Sequence, residues 1–544
     1  MKKIMQNMKE KPVRSIGKVI LLILILIDLY RTFGITYEQQ TDSTSTTCPT
    51  YMIYYGELND EIIREARKYD VVILHPNSGN LTRKQVREIQ AGGACVFGYI
   101  SIGEDLRTNG MTAEEMLADG RFTGDGTGPR VDPRREGSVD FNHISLCGKE
   151  SPAGSGFASY YLDDNDYDGK PDFNPNFNCA YTNIGDPQWY EVLDQMKIDE
   201  IDGIAGIREI LTEDYGRGLG CDGVFLDTID TCAPNIYTHD EDLNRTRFEW
   251  TAPGLTSFLE KLEENYPEKY VVQNRGLFFY NYLFPHYEYA PRQYIDFLMF
   301  ESYMLDSNTT ELFFEGYFAD NKNIYAPKIS AEANRPDGFK VLSLGYAEGP
   351  EEFQLKSTLM GKATAGMDIL MEDIDQSQNK AGFSHYITDA GLLLVNDFVL
   401  EHSEEADILP PVWSSVHNTS ETYPRKEPVP RVGIGQTEPV VNGMIVRWDV
   451  AVDRSGVTYT LYYQNEPFDF EQDPDLEKAQ HIELIPEAGE GYGYMADLDT
   501  YPYQATIAGL NGGEKYYFLI RAKDRSATGN EEKNTVVIEA VPLK

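Results

Sequence analysis

The feature that most constrains the fold is an alternation of short strand-like runs with stretches of helical period, from Tyr51 onward. The runs are rich in β-branched and aromatic residues, as buried strands are. Eight runs can be counted, over residues 51–56, 71–76, 95–101, 223–230, 269–276, 296–303, 341–348 and 367–375. Parallel strands separated by helices in this number predict an α/β fold, a (β/α)8 or TIM barrel over residues 48–403.

The connection between the third and fourth runs extends from Asp105 to Gly220, whereas βα loops usually have 2–6 residues. An insertion over about residues 105–190 is therefore predicted to build a lid or wall. Its acidic turn has oxygen ligands at the spacing of a calcium loop: Asp164, Asp166, Asp168 and Asp172. An EF-hand needs a glutamate where Pro175 stands, so two interpretations stay open, a structural Ca²⁺ that takes other ligands and an acidic turn without metal. No other cofactor is expected.

The amino-acid composition of the chain changes after residue 403. A proline-bearing linker is predicted over residues 404–430, and residues 431–544 contain alternating runs at 444–448, 458–463 and 516–522, which predict an antiparallel β-sandwich. Trp448 on an early strand, with Leu510 six residues before Tyr516, resembles a fibronectin type III module.

The balance of charge excludes one class of partner. The chain has 88 acidic and 48 basic residues, a net charge of −40, which repels phosphate backbones and anionic bilayers. Nucleic acid is therefore not an expected partner. The same charge would concentrate a cationic polymer such as a partly deacetylated amino-sugar chain.

Residues 1–47 differ from the rest of the chain. Lysines and an arginine precede an apolar run at 19–27, which predicts an export signal followed by a Ser/Thr-rich stalk. The run is shorter than the roughly 20 residues of a membrane span, and both cleavage and retention as a signal anchor stay open. The protein is expected outside the cell or at its surface, in contact with a membrane only through this segment. Export permits disulfides, and the pairings considered are Cys147 with Cys179 and Cys221 with Cys232.

Barrel enzymes hold their chemistry at the carboxyl ends of the strands, so reactive groups are expected at these ends. Asp227 and Glu301 each follow an apolar run, and two carboxylates are what cleavage of a glycosidic bond requires. Asp227 is predicted as the nucleophile, and Glu301 as the acid/base. Alternatively, either acid could cap a helix or pair with Arg275.

Other polar and aromatic residues at the same strand ends are candidates for substrate binding. Tyrosine rings can stack on sugars, although in a tyrosine-rich chain some must be ordinary packing residues. Glu104 could bind a sugar hydroxyl or amine, and the lone histidine could be structural. The full set is Tyr55, His75, Tyr99, Glu104, Asp230, Asn274, Arg275, Tyr303, Tyr346 and Glu348.

Several motifs stand out along this part of the chain: Tyr54-Tyr-Gly56, Gly98-Tyr-Ile-Ser-Ile-Gly-Glu104, Tyr161-Leu-Asp-Asp164 with Asp168-Gly-Lys-Pro-Asp172, Asn183-Ile-Gly-Asp-Pro187, residues 223–230 and Phe300-Glu-Ser-Tyr303. Together they resemble the barrel of glycoside hydrolase family 114. The resemblance spans roughly residues 51–401 and implies a retaining endo-α-1,4-polygalactosaminidase, with Asp227 and Glu301 at the positions of the family's acid pair. Two alternatives stay open: a non-catalytic glycan-binding or adhesion protein, and a hydrolase of a different α-linked glycan.

Overall fold

The computed structural model describes residues 49–77, 80–124, 128–133, 147–164, 166–198, 201–238, 247–304, 318, 320–347, 360–367, 370, 383–402, 409–413, 431–493 and 500–544. Its main feature is an eight-stranded sheet in which every neighbouring pair is parallel and the strand order follows the chain. The strands are β1 (Tyr51–Tyr54), β2 (Val71–Leu74), β3 (Cys95–Ser101), β4 (Gly223–Asp227), β5 (Tyr270–Asn274), β6 (Phe297–Glu301), β7 (Lys340–Tyr346) and β8 (Phe383–Thr388).

The sheet curls until its first and last strands meet. The rings of Tyr51 on β1 and Tyr386 on β8 lie 5.3 Å apart, and the Tyr51 hydroxyl donates to the backbone oxygen of Ser343 on β7 at 2.6 Å. The result is a nearly closed barrel with long side chains packed inside it, which confirms the predicted fold class.

The eighth strand is not where the sequence predicted it. Residues 360–367 are helical, and the strand that follows β7 is Phe383–Thr388. Ala363, Met367 and Leu370 are buried at intervals of four and three residues, which is helical spacing, and the apolar run at 367–375 was mistaken for a strand. Ser384 and His385 interrupt the apolar pattern of β8 in the sequence, yet all six of its residues are buried. Most of the predicted strand, including Glu372 and Asp373, lies outside the described residues.

Helices surround the barrel, and the first two begin at side chains that cap them. Asn59 accepts from the backbone of Glu61 and Ile62, and Thr82 forms a capping box with Gln85. The α-helices are α1 (Asp60–Ala66), α2 (Arg83–Gln90), α3 (Ala113–Ala118), α4 (Pro187–Gln195), α5 (Ile207–Leu211), α6 (Asn235–Thr238), α7 (Pro253–Asn265), α8 (Ala326–Ala333) and α9 (Phe398–His402). A π-helix spans Asn321–Tyr325, and 3-10 turns span Leu106–Thr108, Ile229–Cys232, Glu249–Thr251, Leu277–Tyr280, Pro285–Tyr289, Arg292–Tyr294 and Glu490–Tyr492.

The insertion after β3 is held together by two pairs of short strand segments and by isolated bridges. Glu104–Asp105 pairs with Ala180–Tyr181, and Arg130–Val131 pairs with Lys149–Glu150. An isolated bridge joins Phe173 to Ala180. The first pairing places residues 180–181 of the insertion beside residues 104–105, which directly follow β3. This part of the insertion therefore lies next to the carboxyl ends of the barrel strands.

Two four-stranded antiparallel sheets form the C-terminal domain and confirm the predicted sandwich. Alternate residues point into the core between them, for example Met444, Val446 and Trp448 opposite Phe518 and Ile520. One sheet contains β9 (Ile434–Val440), β10 (Gly443–Trp448), β13 (Tyr503–Ala508) and Glu487–Ala488; the other contains β11 (Val457–Gln464), β12 (Gln480–Leu484), β14 (Tyr516–Asp524) and β15 (Ile538–Ala540). Membership of the fibronectin type III family stays a prediction.

The predicted linker contributes to the sandwich. Val412–Trp413 pairs with Ala451–Val452, and the Trp413 side chain is buried in the sandwich core. Tyr282, Tyr287 and Ala331 of the barrel belong to the same core. The two domains are therefore joined by packed apolar side chains.

Two further sequence predictions concern the ends and the cysteines. Residues 1–47, with the predicted export signal, lie outside the described part of the chain. Within that part, no helix combines the length and the apolar character that crossing a bilayer requires. Cys147, Cys179, Cys221 and Cys232 are free thiols, so the disulfides considered above are wrong. Cys221 and Cys232 flank the five-residue strand β4, in which each residue advances about 3.3 Å. The strand therefore separates the two cysteines by more than a disulfide can span.

Candidate active site

Three neighbouring strands end in polar residues. Asp227 is the last residue of β4, Asn274 of β5 and Glu301 of β6. Because parallel neighbours end at the same rim, residues far apart in the chain lie side by side. Asn274 stands between the two acids that the sequence singled out.

One amide nitrogen joins the acid pair. Asn274 Nδ2 donates to Asp227 Oδ1 at 2.8 Å and to Glu301 Oε2 at 3.0 Å. These two carboxylate oxygens are therefore within about 6 Å of each other. Asn274 is 5% exposed, so its orientation is set by the protein and not by solvent.

A tyrosine hydroxyl holds the second oxygen of each acid. Tyr99 donates to Asp227 Oδ2 at 2.8 Å, and Tyr346 donates to Glu301 Oε1 at 2.5 Å. Burial raises the pKa of both phenols, and the adjacent carboxylates raise it further. Both hydroxyls are therefore protonated donors at neutral pH, and they fix the orientation of the two acids.

The residue after each of these strand ends has a left-handed backbone. Thr228 has φ 65°, Arg275 φ 58° and Ser302 φ 58°. This conformation is uncommon for residues other than glycine and is often found at functional sites. It turns the chain sharply after the polar residue, and nothing in the sequence indicated it.

A cleft of about 640 Å³ opens over the acid pair. Its lining includes Tyr55, Glu104, Asp227, Asn274, Glu301 and Tyr346, with residues 174–177 of the insertion forming one wall. A second cavity of about 230 Å³ also contacts Glu301. The Asp230–Arg275 ion pair, 3.0 Å long, lines both cavities.

Glu104 is a third carboxyl group in the cleft, and it is 3% exposed. Its Oε1 accepts from Asn174 Nδ2 at 2.6 Å, while its buried Oε2 has no hydrogen-bond partner among the residues described. Burial raises the pKa of Glu104 to about 7, and the charge of Asp227 adds to the effect. The sequence did not predict the contact between Asn174 and Glu104, because the direction of a side chain in a long loop cannot be inferred from the sequence.

Gly103 allows the insertion to begin this close to the site. A Cβ at Gly103 would lie 2.2 Å from the backbone oxygen of Thr228. The Gly103 N–H donates to Thr228 Oγ1 at 2.7 Å. The start of the insertion is thereby tied to the turn that follows Asp227.

Three predicted binding residues lie behind the cleft surface. Tyr303 is 1% exposed and stacks on His385, because the left-handed turn at Ser302 directs it into the barrel core. The ring of Tyr99 packs against His75 at 4.5 Å and Phe225 at 6.0 Å, which leaves its hydroxyl, not its face, for the site. Burial lowers the pKa of His75 to about 4, so its imidazole is neutral at pH 7. Glu348 lies outside the described residues.

The acidic turn is arranged differently from the calcium-loop pattern. Asp164 accepts from the backbone of Asp132 and from the Trp250 indole, and Asp168 accepts from the backbone of Lys170. The carboxylates that come together are those of Asp163, Asp166 and Asp172, so Asp163 replaces Asp164 and Asp168 of the predicted set.

Comparisons with known proteins found similarity only among solved structures. The chain matches no protein-family model and no curated protein. The glycoside hydrolase domain of PelA from Pseudomonas aeruginosa is 17% identical, with 63% of this chain and 96% of that chain covered and a TM-score of 0.37. The maltogenic α-amylase AmyB from Thermotoga neapolitana is 9% identical, with coverages of 90% and 98% and a TM-score of 0.33.

A third similar structure is the trehalose-6-phosphate hydrolase of Bacillus licheniformis, 10% identical over 55% of this chain and 57% of that chain, with a TM-score of 0.30. Identities this low do not assign a function. Membership of family 114 stays a prediction.

Proposed function

We propose that this protein is a glycoside hydrolase in which Asp227 is the nucleophile and Glu301 the acid/base. The observation that carries the proposal is the Asn274 amide, which donates to both carboxylates and holds them at one rim of the barrel. Acetal cleavage needs two carboxyl groups on either side of the scissile bond. A cleft directly over the pair gives a sugar chain access to it.

The proposed reaction has two steps. Asp227 attacks the anomeric carbon while Glu301 gives its proton to the departing glycosidic oxygen, so that a glycosyl ester forms and the exocyclic C–O bond breaks. Glu301, now a carboxylate, then takes a proton from water, whose oxygen attacks the anomeric carbon and releases Asp227. We propose the retaining course on the short distance between the two bridged oxygens, about 6 Å at most. The carboxyl groups of retaining enzymes stand about 5–5.5 Å apart and those of inverting enzymes roughly 6.5–9.5 Å, which admits a water molecule.

The charge of the cleft supports a substrate with amino groups. Glu104, Asp227, Asp230 and Glu301 line it, and among its described lining residues the one cation is Arg275, which is paired with Asp230. An excess of carboxylates attracts a polycation. We therefore propose an α-linked galactosamine-type polysaccharide, and endo action because cavities on both sides of the Asp230–Arg275 pair reach Glu301.

Reducing-end release from bacterial polysaccharides tests the assignment. The purified protein should cleave partly deacetylated galactosamine polymers, and Asp227→Asn and Glu301→Gln should each lower kcat by at least about a thousandfold. An exposed-acid control, Glu264→Gln, should keep full activity. Turnover that survives both site substitutions would contradict the proposal.

The same experiment addresses the two alternatives. Affinity for a glycan without any turnover by the wild-type protein would favour a glycan-binding or adhesion protein. Cleavage only of another α-linked polymer would keep the reaction and change the substrate.

Export and surface attachment through residues 1–47 belong to the same proposal. The sandwich would then act as a spacer or as a module that contacts glycan. Fractionation of cells that produce the full chain should place the protein outside the cytoplasm, and deletion of residues 1–47 should keep it inside.

A further inference from the structure

The insertion brings together three carboxylates that do not belong to the acid pair Asp227 and Glu301. One oxygen each from Asp163, Asp166 and Asp172 lies within 4.8 Å of the others. Asp163 and Asp172 are buried, and Asp166 is exposed. Three carboxylates this close repel one another, and a cation between them would remove the repulsion.

Asp163 provides a second, independent observation. Its side chain is fully buried, and Oδ2 accepts from Ser151 Oγ at 2.5 Å and from the Gly169 N–H at 2.9 Å. Its Oδ1 is also buried but has no hydrogen-bond donor within the described residues. A buried carboxylate oxygen without a donor is costly unless a charge or a ligand satisfies it.

We propose that Asp163, Asp166 and Asp172 bind a Ca²⁺ ion, which holds the insertion wall of the cleft in place. Carboxylate oxygens are ligands that hard divalent cations prefer, and a flexible loop suits the adaptable coordination of Ca²⁺ better than the strict octahedron of Mg²⁺. The set differs from the one the sequence spacing indicates, because the carboxylates that lie close together are those of Asp163, Asp166 and Asp172.

The link from this cluster to the cleft is short. Asn174, two residues after Asp172, donates to Glu104 Oε1 at 2.6 Å, and residues 174–177 line the cleft. The Asp172 backbone N–H donates to the Leu162 oxygen at 2.8 Å, and Phe173 bridges Ala180. A cation that fixes Asp172 against Asp163 would therefore also fix the position of Asn174.

Calorimetric titration of CaCl₂ into the EDTA-treated full-length protein tests the site. We expect one equivalent to bind, with affinity reduced about tenfold or more by Asp166→Asn, whose exposed side chain is not needed for folding. Asp163→Asn should have the same effect. Asp168→Asn is the matched control, since it makes the same change of charge two residues away, and it should stay within about twofold of wild type.

The inference would be overturned by three results: no uptake of Ca²⁺ by the wild type, tighter binding of Mg²⁺ than of Ca²⁺, or an equal loss of affinity in Asp168→Asn and Asp166→Asn. Hydrogen exchange tests the coupling to the cleft. Ca²⁺ should slow exchange over residues 173–181 in wild type and in Asp168→Asn but not in Asp166→Asn, and unchanged exchange in wild type would refute the coupling. None of these measurements depends on hydrolase activity.

Discussion

Tyr346 donates its hydroxyl to Glu301 Oε1 at 2.5 Å, across the pair of neighbouring strands β7 and β6. Tyr99 does the same for Asp227 Oδ2 from β3, and Asn274 supplies the remaining donor to both acids. Each carboxylate therefore has one donor on each oxygen, from side chains on three different strands. Such prearranged donors orient the acids before a substrate arrives.

Tyr346→Phe is expected to lower kcat/KM about 10- to 100-fold. The substitution removes a hydrogen bond to a charged group, for which the typical contribution is about 1.5–3 kcal/mol, and leaves the ring in place. Steady-state kinetics on the cleaved polymer would measure it. Tyr463→Phe, in the sandwich, serves as the control and should leave kcat/KM unchanged.

Asn274→Asp should reduce kcat/KM by about a hundredfold or more, because a third carboxylate replaces the donor between two others. Asn274→Ala removes the donor without adding charge, so its loss should be smaller. The ratio of kcat/KM values for the two variants isolates the electrostatic part. Equal losses would show that the added charge has no effect, and full activity of the isosteric Asn274→Asp would show that Asn274 only fills space.

Glu104 makes the free energy of unfolding depend on pH. The pKa of Glu104 is about 7 in the folded protein against an ordinary value of 4.5, so the folded state binds the proton more tightly. The resulting stabilisation is complete below about pH 4.5 and is lost as the pH rises through 7. Glu104→Gln cannot ionise and should gain roughly 3 kcal/mol relative to wild type between pH 4.5 and pH 8.

Denaturant unfolding at a series of pH values would measure this difference. The exposed Glu264→Gln should follow the wild-type curve throughout, because the carboxyl group of Glu264 stays in solvent. Parallel curves for Glu104→Gln and wild type would show that Glu104 is ionised in the folded protein at neutral pH.

Glu332→Gln should lower the free energy of unfolding by about 3–5 kcal/mol. Glu332 accepts from Arg292 at 2.5 Å and from Arg335 at 3.0 Å, and all three side chains are buried. The substitution leaves two buried cations without a counter-charge. Arg335 also lies 3.7 Å over the Tyr492 ring of the sandwich, so barrel and sandwich should both lose stability in denaturant unfolding. Glu264→Gln, on the surface, should change the free energy by less than about 0.5 kcal/mol.

Seven of the eight barrel strands could be predicted because each is a short β-rich run bounded by turns or helices. The eighth could not, since Phe383–Thr388 includes Ser384 and His385 and is buried only because β7 and the barrel interior cover it. The local pattern favoured the apolar run at 367–375 instead, which begins at the last residue of the helical segment 360–367. Burial on both faces is a property of the assembled sheet and leaves no alternation to detect.

For the site, the sequence by itself determined which acids end the strands, since an apolar run followed by Asp227 or Glu301 is visible in the chain. Only the tertiary structure decided that Asn274 stands between them, that Tyr303 is directed into the core, and that Asp163 and not Asp164 joins the acidic cluster. The reason is physical. Chemical identity is carried by each residue, whereas direction depends on single backbone angles, such as φ 58° at Ser302, and on neighbours more than a hundred residues away in the chain.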